Sequence, residues 1–209
     1  MLSPHSAATL SKVQTMLSKR IEIKWEFVIF LVCSLFLLPL KLVINWILAA
    51  AVHELFHIAA LSYFEIKIYK IILKGGGTII ETEAIPPKQE IICALAGPIG
   101  GLLGLLLFRI NPYLAIFSLI QSAFNLLPFY PADGGRVLRC AITMKCGEAR
   151  SAQISNFIGF VASGIIVLAG ILSAYYADFP ILPTFIAGAI VAISVLKNSL
   201  QTGRKNSTM

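Results

Sequence analysis

Six runs of mostly apolar residues, at roughly 26–42, 43–63, 89–108, 113–144, 154–175 and 181–198, constrain this chain more than any other feature. An α-helix needs about 17–25 such residues to cross the hydrocarbon core of a bilayer. Water is absent at that depth, so a spanning segment must satisfy its own backbone hydrogen bonds, and helices do so. With 57% hydrophobic and 13% charged residues among 209, the chain is too apolar for an ordinary soluble domain. The expected architecture is an all-α polytopic membrane protein of about six transmembrane helices. Residues 1–25 form an N-terminal segment, 26–199 the six-span domain and 200–209 a short tail.

The net charge of +7 reflects membrane topology rather than nucleic-acid binding, because no basic cluster is interleaved with aromatics. Fifteen Lys and Arg residues fall on the side of the termini, against Lys41 and Arg109 on the other. The positive-inside rule makes that side cytoplasmic. Before the first span, Leu10, Val13, Met16 and Leu17 recur at helical spacing beside Lys12, Lys19 and Arg20, which suits a short amphipathic helix on the membrane surface. Cys33, Cys93, Cys140 and Cys146 form no C-x-x-C pair and read as small apolar residues, without a disulfide framework.

Residues 65–85 interrupt the helical pattern: Gly75-Gly76-Gly77 marks a turn, and Thr78-Ile79-Ile80-Glu81-Thr82 is β-prone. A small β-hairpin is expected between the second and third spans, the alternative being an ordinary cytoplasmic linker. The free edge of such a hairpin could pair with an extended peptide.

Inside the second run, His53-Glu54-Leu55-Phe56-His57 places two histidines at i and i+4, on one helix face, where both imidazoles can reach one Zn2+ while Glu54 faces its water. Ionisable groups at membrane depth are costly unless paired or metal-bound, so this cluster is a functional candidate. A catalytic zinc takes three protein ligands and keeps one position open. The chain has two aspartates, of which Asp178 falls in a predicted outer loop and Asp133 falls at membrane depth. His5 is a whole span away, and Glu65 lies eight residues past His57, about two turns along the helix. Around Asp133, Pro128 and Pro131 break the helix and Gly134 and Gly135 permit close approach, so the fourth span should be interrupted beside a hydrated cavity. Gly97, Gly101 and Gly100, Gly104 form two small-xxx-small pairs for close helix packing.

H-E-x-x-H on one span and N-x-x-P-x-x-P-x-D-G-G, from Asn125 to Gly135, on another resemble the signature of the site-2 protease family of intramembrane zinc metalloproteases, over about residues 44–145. Gly75–Glu81 and Leu127–Arg136 are similar to the stage IV sporulation protein FB subgroup. Ending about ten residues after the sixth run, the sequence given leads one to expect a form without that subgroup's C-terminal nucleotide-sensing module. The resemblance implies zinc ligation by His53, His57 and Asp133, Glu54 as general base, and Asn125 as a residue that orients or polarises the substrate. It further implies a transmembrane or membrane-associated protein substrate, such as a membrane-tethered transcription factor or sigma-factor precursor. Membrane regulators and a bacterial cell membrane are the corresponding expectations for partners and location. A non-proteolytic metal-binding or transport protein using the same ligands is the competing class. A membrane scaffold with a relic site is a third.

Overall fold

The computed structural model describes residues 21–177 apart from residue 76; the expected surface helix before residue 21, the sixth span and the C-terminal tail lie outside the described residues. The first apolar run forms α1 (Trp25–Leu37). Leu38 is extended, as residues before proline are, and Pro39 then caps α2 (Leu40–Tyr63). The junction between the first two runs therefore falls at Leu38-Pro39 rather than between residues 42 and 43, and Lys41 lies within α2. α3 (Pro87–Leu103) continues through a 3₁₀ turn at Gly104–Leu107, and α4 (Pro112–Asn125) opens on Asn111, whose side chain accepts from the Leu114 amide at 3.2 Å. α5 (Asp133–Cys146) and α6 (Glu148–Ala177) follow. The fourth run is thus broken as its prolines predict: 126–132 separates two helices of 14 residues each.

The hairpin is present but is part of a larger sheet. β2 (Ile68–Lys74) pairs antiparallel with β3 (Gly77–Thr82), and β1 (Ile21–Ile23) adds to β2 in parallel, with Ile21 opposite Ile71 and Ile23 opposite Leu73. Three residues are too few to display a strand's alternation, so β1 carried no sequence signal. Its register is reinforced by the Lys24 amide, which donates to the Leu73 carbonyl at 2.9 Å, and by Glu22, which is ion-paired with both Lys24 and Lys70. Those two ammoniums, Lys24 first, hold the Glu22 carboxyl down at about 2 from its ordinary 4.5.

α2 and α4 run side by side in the same direction. Near their starts Asn111 Nδ2 donates to Asn45 Oδ1 at 2.6 Å, while past their far halves the His53 and His57 rings of α2 meet Asp133. α3 runs opposite to both and presents a bare face to each. A methyl group at Gly97 or Gly100 would collide with His57 or Phe56 of α2, and one at Gly101 or Gly104 with Ser122 or Ser118 of α4. The glycines do permit close packing as expected, with Gly97 and Gly100 serving one neighbour and Gly101 and Gly104 the other.

The contacts of α3 with α2 and α4 are accordingly lined by small side chains. Ala49, Ala94 and Ala115 are fully buried, whereas α1 buries no residue and Phe36, Leu106 and Ile110 are each at least 80% exposed. Two stretches, Leu40–Tyr63 and Pro87–Leu107, are long and apolar enough to cross a membrane, and most of each apolar window faces outward. Outward apolar belts of this extent are what a lipid environment covers.

The 126–132 loop folds back over the first turn of α5. A Cβ at Gly134 would strike the Leu126 carbonyl, and one at Gly135 the Phe129 carbonyl, so both positions must be glycine for the loop to lie there. Phe129 and Ala132 are buried and pack with Leu127 and with Ile166 of α6, which holds the loop from the other side.

Two predictions arise from this packing. Gly134→Ala should cost about 1–3 kcal/mol through overpacking and lower the thermal unfolding midpoint in detergent, while Gly164→Ala, where nothing lies within 4 Å, should leave it unchanged or raise it. Because the folded Glu22 pKa lies below its unfolded value, its contribution is complete above pH 4.5 and is lost as pH falls through about 2. Amide exchange across the β1–β2 ladder should therefore quicken on acidification, and Glu22→Gln should already be loose at neutral pH.

Candidate metal centre

One turn of α2 separates His53 from His57, which puts both imidazoles on the face turned toward α3 and α5. Both are buried, and their Nε2 atoms lie 3.1 Å apart. Asp133 reaches the same point from the first residue of α5, its Oδ2 3.1 Å from His53 Nε2 and 3.2 Å from His57 Nε2. It is buried as well. The backfolded loop and the two glycines behind it set the depth of this carboxylate.

Hydrogen bonding alone does not satisfy the cluster. His57 Nδ1 donates to the Cys93 carbonyl of α3 at 2.7 Å, so in the neutral ring the Nε2 presents a lone pair to its neighbours. A lone pair at His57 Nε2 then faces the carboxylate oxygen at 3.2 Å with no proton of its own to share. A cation resolves that repulsion. Three donor atoms spaced 3.1–3.2 Å apart form close to the face of a tetrahedron around an ion bound at about 2.0–2.1 Å. Among the described residues, His53, His57 and Asp133 are the group of His, Cys, Asp and Glu side chains that could hold a metal ion. Two histidines and one carboxylate, leaving a fourth position open, are the donor set of catalytic Zn2+.

The other sequence candidates fall into place around this centre. Glu54, next to His53, lies within electrostatic reach of all three ligands, and Thr78 of β3 lies near its carboxylate. Asn125 ends α4, half-buried and just before the loop, and among the described residues it makes no hydrogen bond to the ligand group. Glu65 is exposed beyond the end of α2 and stays away from the cluster. All four cysteines are free thiols, Cys93 and Cys140 buried and Cys33 and Cys146 exposed.

Two further contributors carry no signature in the sequence, and a third has a narrower role than its spacing implies. The Cys93 carbonyl is a backbone group with no residue-type signature. Gly97 makes room for the His57 ring, so its task is more specific than general helix packing. Arg136 contacts both Asp133 Oδ1, at 3.5 Å, and Glu90 Oε1 of α3, at 3.4 Å.

A helical protein whose histidine–histidine–aspartate centre joins two helices inside an apolar body has clear counterparts among known proteins. No protein-family model matches the chain. A zinc metalloprotease of Methanocaldococcus jannaschii is 31% identical over 174 residues, 73% of this chain and 51% of that protein. The solved structure of the site-2 protease from Methanocaldococcus jannaschii superposes with a TM-score of 0.66 at 26% identity, over 86% of this chain and 90% of that one. Together they support the site-2 protease family for this chain. It spans about half the length of the sequence relative, 51%.

Removing a ligand should remove the metal. Asp133→Ala is expected to lower bound zinc in purified protein by at least the 10- to 100-fold affinity loss that even supporting residues produce. Metal stoichiometry after dialysis against a weak chelator measures it. Unchanged stoichiometry would exclude Asp133 from the ligand set.

Proposed function

We propose that the chain is an intramembrane zinc metalloprotease that hydrolyses peptide bonds in transmembrane or membrane-associated protein segments near the cytoplasmic side of the bilayer. The observation that carries this reading is the convergence of His53, His57 and Asp133 with Glu54 alongside. Bound zinc would supply Lewis acidity, making an attacking water acidic and polarising the scissile carbonyl. His53, His57 and Asp133 would hold the ion. Glu54 would accept the proton of the water as it attacks the carbonyl carbon, then deliver it to the departing amine nitrogen as the C–N bond breaks. Asn125 would donate a hydrogen bond from its side-chain amide to the carbonyl oxygen as charge develops there.

A helical substrate hides its carbonyls in its own hydrogen bonds and must be opened before it is cut. β3 is one of the two outer strands in the sheet order β1-β2-β3, and its Thr78 lies near Glu54. An unwound substrate segment adding to that edge would lie extended beside the general base. The similarity of Gly75–Glu81 and Leu127–Arg136 to the stage IV sporulation protein FB subgroup points to regulated cleavage of a membrane-tethered transcription factor or sigma-factor precursor, with membrane regulators as partners. We place the protein in a bacterial cell membrane, multi-pass, with cytoplasmic termini.

Glu54→Gln separates this reading from metal storage or transport through the same ligands. The variant should lose about 10²–10⁴-fold in cleavage rate while keeping its zinc. Co-expression with a membrane-tethered substrate, followed by fragment analysis and metal assay, reads both quantities. Normal cleavage by the Gln variant would overturn the assignment.

A further inference from the structure

The first turns of α3 touch one of the three ligands directly and a second through Arg136. Cys93 receives His57 Nδ1 on its carbonyl, and Glu90, three residues earlier, reaches Asp133 through Arg136. The guanidinium is split between two acceptors: Nη1 lies 3.5 Å from Asp133 Oδ1, and Nη2 lies 3.4 Å from Glu90 Oε1. The Cys140 thiol, one turn beyond Arg136 on α5, lies within electrostatic reach of Glu90. An arginine beside a single carboxylate favours a two-pronged contact that occupies both oxygens. At Asp133 that contact would claim Oδ2, the atom directed at both histidines.

We propose that Glu90 is a positioning residue for the metal centre. By holding one arm of the Arg136 guanidinium, it confines Arg136 to Oδ1 of Asp133 and leaves Oδ2 for the metal. Its charge also cancels that of a guanidinium standing beside a dication, which would otherwise oppose cation binding. Without Glu90, Arg136 turns from a support into a competitor. One end of α3 then orients both His57 and Asp133, so the relative position of α2 and α5 at the site is set by a third helix that supplies no ligand. This inference rests on the reading of His53, His57 and Asp133 as the zinc site.

The test uses the full chain in detergent micelles, stripped of metal and titrated with zinc against a chromophoric chelator, with cobalt(II) visible absorption as a measure of ligand geometry. Glu90→Gln should weaken zinc affinity about 10-fold or more and alter the cobalt bands. Glu90→Gln combined with Arg136→Gln should recover most of that loss, because the competing guanidinium is gone. That recovery is a coupling a merely structural contact would not give. Far-UV circular dichroism of the metal-free proteins checks that helix content is unchanged. Wild-type affinity in Glu90→Gln, or a double variant that binds no better than Glu90→Gln, overturns the proposal. Asp133→Ala in the same titration keeps the two readings apart: if it loses zinc while Glu90→Gln does not, positioning alone fails, and if it keeps zinc, the site itself fails.

Discussion

The close approach of α3 to α2 is the constraint on which the other features depend. At Gly97 the α3 backbone leaves space that the His57 ring fills, and four residues earlier the Cys93 carbonyl takes the Nδ1 proton. A side chain at Gly97 would push the ring away from that carbonyl, and the His57 lone pair would lose its direction. Gly101 and Gly104 repeat the arrangement toward α4, whose Ser122 and Ser118 hydroxyls lie against them. α3 therefore holds α2 and α4 at a common spacing, which lets the Asn45–Asn111 hydrogen bond form at one end and the ligand cluster at the other. In a membrane such packing has no hydrophobic drive behind it, so contact distance and hydrogen bonds carry the association.

The second requirement is the irregular segment between α4 and α5. A continuous helix could not place its own Asp133 against the face of α2 and also pack on α6. The break does both, and its backbone is satisfied locally: the Phe129 amide donates to the Leu127 carbonyl at 2.9 Å and the Ala132 amide to the Phe129 carbonyl at 3.0 Å. Buried non-helical backbone costs several kcal/mol per open polar group unless such partners exist. Asp133 then begins α5, where the helix N-terminus favours negative charge.

Much of this was legible in the residues. His53 and His57 announce themselves by spacing, and the rarity of acids in the apolar runs singles out Asp133. Pro128 and Pro131 predict the interruption, and the glycine run at 75–77 predicts the turn. What was hidden had physical reasons. β1 is too short to alternate, and its partner lies about fifty residues away, so nothing local marks it. The Cys93 carbonyl belongs to the backbone, which every residue shares. Glu90 reads in sequence as a solvated charge in a first helical turn, and its link to Asp133 exists only because α3 and α5 are neighbours in space. Pro39 signals the α1–α2 junction, since proline holds the residue before it extended, but the apolar stretch runs on through residue 42 and hides the break in composition alone.

The small interior and bulky exterior reverse the pattern by which soluble proteins tolerate change. In a soluble core the large aliphatic residues are fragile and trimming them opens voids. Here Phe36, Leu106 and Ile110 point outward, where one greasy side chain serves a lipid tail as well as another, while Ala49, Ala94 and Ala115 are fully buried and the α3 glycines at 97, 100, 101 and 104 have no room for a Cβ. A map of all single substitutions across this protein would look like the photographic negative of one made on a globular enzyme. Enlargements would be the lesions, and swaps among large apolar residues would pass almost unnoticed.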